Sequence, residues 1–232
     1  MTVGKKLSKR LSACLDALSS LSRIADVGTD HAYLPCHAVA NGMIDSAIAI
    51  DVIDGPLAGA KRTVIDYGLS DKIELRKGSG LEPLKMGEVE GVNFAGMGGK
   101  LISQLLEERL FIAKSMKRLV FQPQGGESML RRTLAENDFT IIAEQLLEEG
   151  GIIYTIITAK PGRNETQHNL LDWQFGPILR QDIENEWFVK KWTAEIRSIN
   201  DILVSIPEGH LNRTQFETKK QLIKDVLTHA IH

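Results

Sequence analysis

The sequence predicts an α/β protein: a mostly parallel, doubly wound sheet with an antiparallel edge, followed by an antiparallel pair of long helices. Three observations carry this. Five short apolar or alternating runs alternate with helical stretches as far as residue 136. Two further β-rich runs, Phe139 to Leu147 and Gly151 to Ala159, are joined by Glu148-Glu149-Gly150, a connection that fits a hairpin. Beyond Pro161-Gly162-Arg163-Asn164 the β character fades and helical periodicity takes over. A chain of 232 residues accommodates one α/β domain and an appendage, and the break places them at 1–162 and 163–232.

Residues 5 to 21 read as an amphipathic helix, with Leu7, Leu11, Cys14, Leu15, Leu18 and Leu21 at helical spacing. Lys5, Lys6, Lys9 and Arg10 crowd its first turns, as either a solvated face or a phosphate-contacting surface. Ile24, Ala25 and Val27 form a buried strand; Gly28 lets the chain turn closely past a ligand. A helix then starts near Asp30, with Ala32, Leu34 and Val39 on its inner face. Ala47-Ile-Ala-Ile-Asp51-Val52 is a second strand ending in a carboxylate. Asp54 as N-cap and Pro56 in the first turn open the next helix, which Gly68 ends. Lys72 to Arg76 is a third strand, running into Gly78-Ser79-Gly80-Leu81. Gly91 to Gly99 is a fourth strand with a Gly-rich turn, and Leu101, Ile102, Leu105 and Leu106 mark the helix beyond. Arg118 to Pro123 is the fifth strand, and a helix covers about 126 to 136. In the appendage, helices are expected over about 178 to 205 and 211 to 230.

With 43% hydrophobic residues the chain can build a real core. A net charge of −2 gives no global pull toward nucleic acid, which leaves any such contact to local patches. Cys14 and Cys36 have neither metal spacing nor a disulfide framework and read as small buried residues. No metal site is expected. The basic N-terminus is not followed by an apolar run, and no stretch nears the roughly 20 apolar residues that span a bilayer. A soluble, cytoplasmic protein is expected.

Four loops converge on one sheet edge in a doubly wound sheet, those after Val27, Ile50, Arg76 and Phe94, and ligands bind outside such strand ends. Gly28 permits close approach, Asp51 can accept two hydroxyl hydrogen bonds from a ribose, and Ser79 or Gly80 can meet an adenine edge. Gly96 to Gly99 floors the reaction site. The first turn is not G-x-G-x-x-G, and Asp26 and Asp30 crowd it. Two carboxylates repel a diphosphate and suit a cation, so S-adenosylmethionine, with its ammonium and sulfonium, fits better than NAD.

The motifs Asp26-Val-Gly-Thr-Asp-His-Ala-Tyr-Leu-Pro35, Ala49-Ile-Asp51-Val52, Gly55-Pro56, Gly78-Ser-Gly-Leu81 and Ala95-Gly-Met-Gly-Gly99 resemble the bacterial tRNA adenine-N1 methyltransferases that modify position 22. Gln122-Pro123 and Tyr154 also fit, and the resemblance covers roughly residues 5 to 160. It implies a class I (Rossmann-like) methyltransferase sheet, S-adenosylmethionine as cofactor, and methyl transfer to N1 of an adenine in the tRNA D-arm. It places Asp26, Gly28, Thr29 and His31 around the methionine part and Asp51 on the ribose. Val52 and Ile53 would flank the adenine, with Ser79, Gly80 and Leu81 at its edge and Ala95, Gly96 and Met97 near the methyl group. The C-terminal pair is similar in kind to the family's coiled-coil appendage.

Adenine N1 carries a free lone pair once unpaired, so alignment rather than a strong base is the main requirement. The product base is cationic, which makes Asp30 the candidate stabilising carboxylate, with His31 orienting the cofactor; alternatively Asp30 caps its helix and His31 fills a polar pocket. Lys5, Lys6, Lys9 and Arg10 are the candidate tRNA contacts. No Asn-Pro-Pro-Tyr type motif is present to hold an exocyclic amine, and Asn93-Phe-Ala-Gly takes its place. Trp187, Phe188 and Trp192 read as packing between the C-terminal helices. The pair can also offer Lys190, Lys191, Arg197, Lys219, Lys220 and Lys224 to phosphates, or dimerise, which leaves a monomer or a weak dimer open. The competing functions are a small-molecule methyltransferase and a non-catalytic binding module on this scaffold.

Overall fold

The computed structural model describes residues 7–163 and 168–229. Seven strands form one sheet in the order β3-β2-β1-β4-β5-β7-β6. They are β1 (Arg23–Val27), β2 (Ser46–Asp51), β3 (Ile73–Lys77), β4 (Gly91–Met97), β5 (Arg118–Pro123), β6 (Phe139–Glu149) and β7 (Ile152–Pro161). The first five are parallel, and β7 pairs antiparallel with both β5 and β6. The order reverses between β1 and β4, which sets the crevice at their carboxyl ends. Ile24 to Val27 and Ala47 to Ile50 are buried without alternation, as strands covered on both faces must be. Phe94 and Phe121 stack in the core at 5.7 Å.

The N-terminal helix α1 (Lys9–Asp16) is shorter than expected; Ser8 caps it by accepting from the Leu11 N–H. Leu18 and Leu21 are still buried, but from the turns that follow. The helix expected from Asp30 begins later, as α2 (Tyr33–Ala40). Its N-cap, Ala32, is buried in the left-handed region at φ +53°, so Asp30 and His31 stand in a loop ahead of it. Asp54 is the first residue of α3 (Asp54–Asp66) rather than its N-cap, and pairs with Lys77 at 2.7 Å. The helices α4 (Gly99–Glu107), α5 (Leu110–Ala113) and α6 (Glu127–Glu136) complete the layers. The hairpin strands run longer than expected, the first through Glu149 and the second from Ile152 through Pro161. Gly150 and Gly151, at φ +62° and +83°, form the two-residue turn.

Cys14 and Cys36 are buried free thiols, and burial pushes each up to about 12. Among the described residues no helix is long and apolar enough to cross a membrane. No three His, Cys, Asp or Glu side chains among them converge as metal ligands.

The chain divides into compact units at Pro177/Ile178, later than the expected break at 162/163. The cause is a helix the sequence did not announce, α7 (Leu170–Phe175), capped reciprocally by Asn169 and Asp172. Arg131 of α6 donates to the Trp173 and Gln174 carbonyls and pairs with Glu144 of β6 at 2.7 Å, which fastens α7 to the first unit. In the second unit the helix expected from 178 is divided. A 3-10 turn (Leu179–Gln181) comes first, and α8 (Glu186–Ser205) starts only where Asn185 accepts from the Trp187 N–H. The helix α9 (Leu211–His229) runs back against α8: Lys219 pairs with Glu195, and Arg213 donates to the Leu203 and Ile206 carbonyls.

Candidate active site

The crevice is built on the end of β1. The register sets Asp26 beside Asn93 of β4, whose Nδ2 donates to the Asp26 carboxylate at 2.8 Å. Asp26 is 7% exposed. Burial pushes its carboxyl above the ordinary carboxylate range; the Asn93 hydrogen bond and the adjacent Thr29 hydroxyl draw it partly back, and the charge of Asp51 adds to the rise. The Thr29 hydroxyl itself makes no hydrogen bond of ordinary geometry among the described residues. Asn93 therefore serves the carboxylate of the next strand and is not placed to grip an acceptor amine.

Gly28 has φ +74°, and a Cβ there would come 2.8 Å from the Met97 methyl carbon. The turn's two N–H groups, those of Gly28 and Thr29, both donate to the Ile50 carbonyl at 2.9 and 3.0 Å. They are engaged with the sheet and cannot cradle a pyrophosphate, whereas a buried carboxylate stands where a cation would be held.

A cavity of about 550 Å³ opens at this point. Its walls bring together Asp26, Gly28, Thr29, Asp30, His31, Ala95 and Gly96 from the predicted set. Arg10 joins them from α1, with its guanidinium donating to Gln122 Oε1 at 2.6 Å and lying 5.6 Å from the Tyr154 ring centre. Leu7, Ser8, Tyr33 and Gln124 also line the cavity and were not anticipated. Gln124 had a signal, since it directly follows β5 at the same sheet edge. The wall from α1 had none, because helix periodicity does not say where a helix packs.

Asp51, Val52, Ile53, Ser79, Gly80, Leu81 and Met97 are not in the cavity wall. Asp51 ends β2 one strand away, with Oδ1 accepting from the Ile53 N–H at 2.9 Å. Val52 and Ile53 are 53% and 60% exposed, an apolar face beside that carboxylate. The loop after β3 is tied to it, Gly78 N–H donating to the Asp51 carbonyl. Leu81 is fully buried, backbone included, and serves packing. Gly80 is glycine for a packing reason: at φ +53° a Cβ would lie 2.9 Å from Leu105 Cβ.

Asp30 does not cap α2, which has no side-chain cap. Its carboxylate is 79% exposed and 3.6 Å from His31 Nε2. The His31 ring packs where α3 comes close: a Cβ on Gly59 would fall 2.6 Å from its Nδ1. The floor is rigid, since a Cβ on Gly99 would lie 2.3 Å from the Gly126 carbonyl and the Gly99 N–H donates to the Gly125 carbonyl. Lys9 is exposed, with its backbone N–H bound to Glu149; Lys5 and Lys6 lie outside the described residues.

Residues 24–231 match the family model for tRNA (adenine(22)-N(1))-methyltransferase. The tRNA (adenine(22)-N(1))-methyltransferase of Bacillus subtilis is 35% identical, over 97% of this chain and 98% of that protein. The crystal structure of the B. subtilis m1A22 tRNA methyltransferase TrmK has a TM-score of 0.84 at 34% identity, covering 98% of this chain and 99% of that one. A Streptococcus pneumoniae structure in complex with S-adenosyl-L-methionine has a TM-score of 0.87 at 37% identity, covering 96% of this chain and all of that one. A carboxylate-bearing crevice at the switch point of a seven-stranded sheet, and similarity over nearly the whole length, lead to one assignment: the chain belongs to the tRNA (adenine(22)-N(1))-methyltransferase family.

Proposed function

We propose that the protein transfers the methyl group of S-adenosylmethionine to N1 of adenine 22 in the D-arm of tRNA. The observation that carries this is the buried Asp26 carboxylate in a turn whose N–H groups face the sheet, within a family of this activity. The S-adenosyl-L-methionine complex of the S. pneumoniae relative supports the cofactor.

The residues present fit that group. Asp26 would hold the ammonium, and Gly28 admits the chain of the cofactor without a side chain in the way. Asp51 would accept from the ribose hydroxyls. Val52 and Ile53 offer apolar area to an adenine ring. When bound, the cofactor supplies a methyl group on a positively charged sulfur.

The protein's part is alignment. An unpaired adenine presents its N1 lone pair in the ring plane, so no group has to remove a proton before attack. The base must leave its stack first, which costs a few kcal/mol and is repaid by contacts in the cavity. Asp30 faces the same cavity and would stabilise the cationic product, weakly because water screens it. Arg10 offers a partly exposed guanidinium to the RNA backbone beside the cavity. We assign the cofactor to the first unit; Arg197 and Lys224 of the second are exposed and available to phosphates.

The test is transfer from labelled S-adenosylmethionine to unmodified tRNA, with the product located by nuclease digestion and mass spectrometry. N1-methyladenosine at position 22, lost in Asp26→Asn and Asp51→Ala, is the expected result. Label appearing in metabolites but not in tRNA would sink the assignment.

A further inference from the structure

Gln122 sits next to the last residue of β5, directly after the apolar run Leu119 to Phe121, and is fully buried. A polar amide there is tolerated only with its hydrogen bonds made, and an apolar residue of similar size would pack as well. Its partners give the reason for its presence. Oε1 accepts from Arg10 Nη1 at 2.6 Å and from the Gly96 N–H at 3.2 Å. Nε2 donates to the Pro123 carbonyl at 3.1 Å. Both Oε1 partners are donors, so the amide has one orientation. The one oxygen therefore ties a guanidinium from α1 to the reaction loop of β4.

The tie is not needed to dock α1, since Cys14 and Leu15 of that helix and Leu18 beyond it are buried in the core. Instead it fixes Arg10. The guanidinium is held by a neutral amide on one side and the Tyr154 ring on another, with Glu149 only at 3.9 Å. Among the described residues its other guanidinium nitrogens make no hydrogen bond. A fixed, incompletely paired guanidinium at a cavity mouth is suited to a phosphate, which it meets in a planar fork.

We propose that Gln122 is a positioning residue for the RNA: its amide oxygen locks Arg10 and Gly96 together, so that Arg10 engages a backbone phosphate beside the target nucleotide while Gly96 stays in register under the base. This rests on the methyltransferase reading and deepens its acceptor side. Gln122 acts through Arg10 and does not touch the reacting atoms.

The experiment measures cofactor affinity by calorimetry, and KM and kcat for tRNA across a salt series, in wild type, Gln122→Met, Gln122→Glu, Arg10→Met and the Arg10/Gln122 double variant. Losing the ordered charged contact should raise the tRNA KM about tenfold in Gln122→Met with cofactor affinity unchanged. Gln122→Glu keeps an acceptor oxygen for both donors but neutralises Arg10, so the tRNA KM should stay raised and the salt slope should fall as in Arg10→Met, with cofactor affinity unchanged. Arg10→Met should add little on the Gln122→Met background, since both variants break one unit. The salt slope for tRNA should fall by about one in Arg10→Met. Cofactor affinity falling in step with the tRNA KM would place Arg10 on the cofactor instead and overturn the proposal. So would additive losses, or an unchanged salt slope. If Gln122→Met fails to fold, the salt slope and KM of Arg10→Met and the Gln122→Glu kinetics decide. Wild type that binds cofactor but leaves tRNA unmethylated overturns the function itself, whereas active wild type with unaltered variants overturns only the role of Gln122.

Discussion

Arg131 and Arg10 carry the same group into opposite surroundings. Arg131 is 2% exposed, faces Glu144 at 0%, and donates from Nη1 to the Trp173 and Gln174 carbonyls. Arg10 is 23% exposed, rests on a neutral amide, and stands 3.9 Å from a carboxylate that is itself 28% exposed. The first charge is balanced and dry, and serves to join three elements. The second is wet and partly unbalanced, and its field is available to something that arrives. Asp26 shows that burial alone does not draw the line: it is buried, but the Asn93 amide at 2.8 Å is neutral, so its charge too is left unbalanced. The lesson is that the accessibility and pairing of a charge, rather than its residue type, separate scaffold from site.

The sharpest way to break this comparison is Arg131→Met. It removes a dry 2.7 Å ion pair with Glu144 together with the two Nη1 bonds to α7, and should cost about 3–5 kcal/mol of folding stability, read by urea denaturation. Cofactor affinity of the folded fraction should not change; if it did, the division between scaffold and site would be wrong.

Asp26→Asn comes next. Losing the charged contact should weaken S-adenosylmethionine binding by roughly 1.5–3 kcal/mol. Because burial raises the Asp26 pKa, the folded protein keeps a proton that the unfolded chain releases from 3.8 upward. Wild-type stability contributed by this group therefore falls as pH rises from 3.8 through the raised value. Cofactor affinity runs the other way, weakening as pH drops through that same value, since the cation needs the ionised form. The amide introduced by Asp26→Asn cannot titrate, so the variant should lose this pH dependence in calorimetry; its persistence would assign the titration elsewhere.

Asp30→Asn should have a smaller effect. With 79% exposure its stabilisation of a cationic base is screened, so kcat should fall by no more than about fivefold, the range of exposed ion pairs. A hundredfold loss would mean that the loop closes and dries Asp30 during the reaction. The smallest effect is expected away from the site. The Arg76 hydrogen bonds hold Glu88 down at about 2, so the stability it adds is present above 4.5 and lost as pH falls toward 2. Glu88→Gln should flatten that limb of an acid titration while tRNA methylation at neutral pH stays unchanged.

The parallel half of the sheet was legible because β1, β2, β4 and β5 are buried runs that need no distant partner to be recognised. The boundaries that slipped are those fixed by tertiary contacts. The start of α2 depends on a left-handed alanine that composition does not announce. Helix α7 depends on bonds from Arg131, 42 and 43 residues earlier. In the crevice, Asp26 and Gly28 were legible from a strand end and its turn, and Asp51 from the end of β2, one strand away. The tie between Arg10 and Gln122 joins positions 112 residues apart, and no local pattern records it. The packing duties of Leu81 and Gly80 were equally silent, since a loop sequence does not reveal which side chains turn inward.

The Ile50 carbonyl has a consequence for what this scaffold can become. Both N–H groups of the first turn close onto it, so discrimination against diphosphate-bearing nucleotides is written into the main chain. Exchanging the acidic side chains for neutral ones would remove the repulsion but leave the Gly28 and Thr29 N–H groups turned to the sheet. An Asp26→Asn, Asp30→Asn protein should therefore bind NAD no better than the parent does. A route from this crevice to dinucleotide chemistry has to pass through insertion or deletion of residues in the turn, a rarer event in evolution than substitution. That makes the choice of ligand one of the least easily reversed commitments in the molecule.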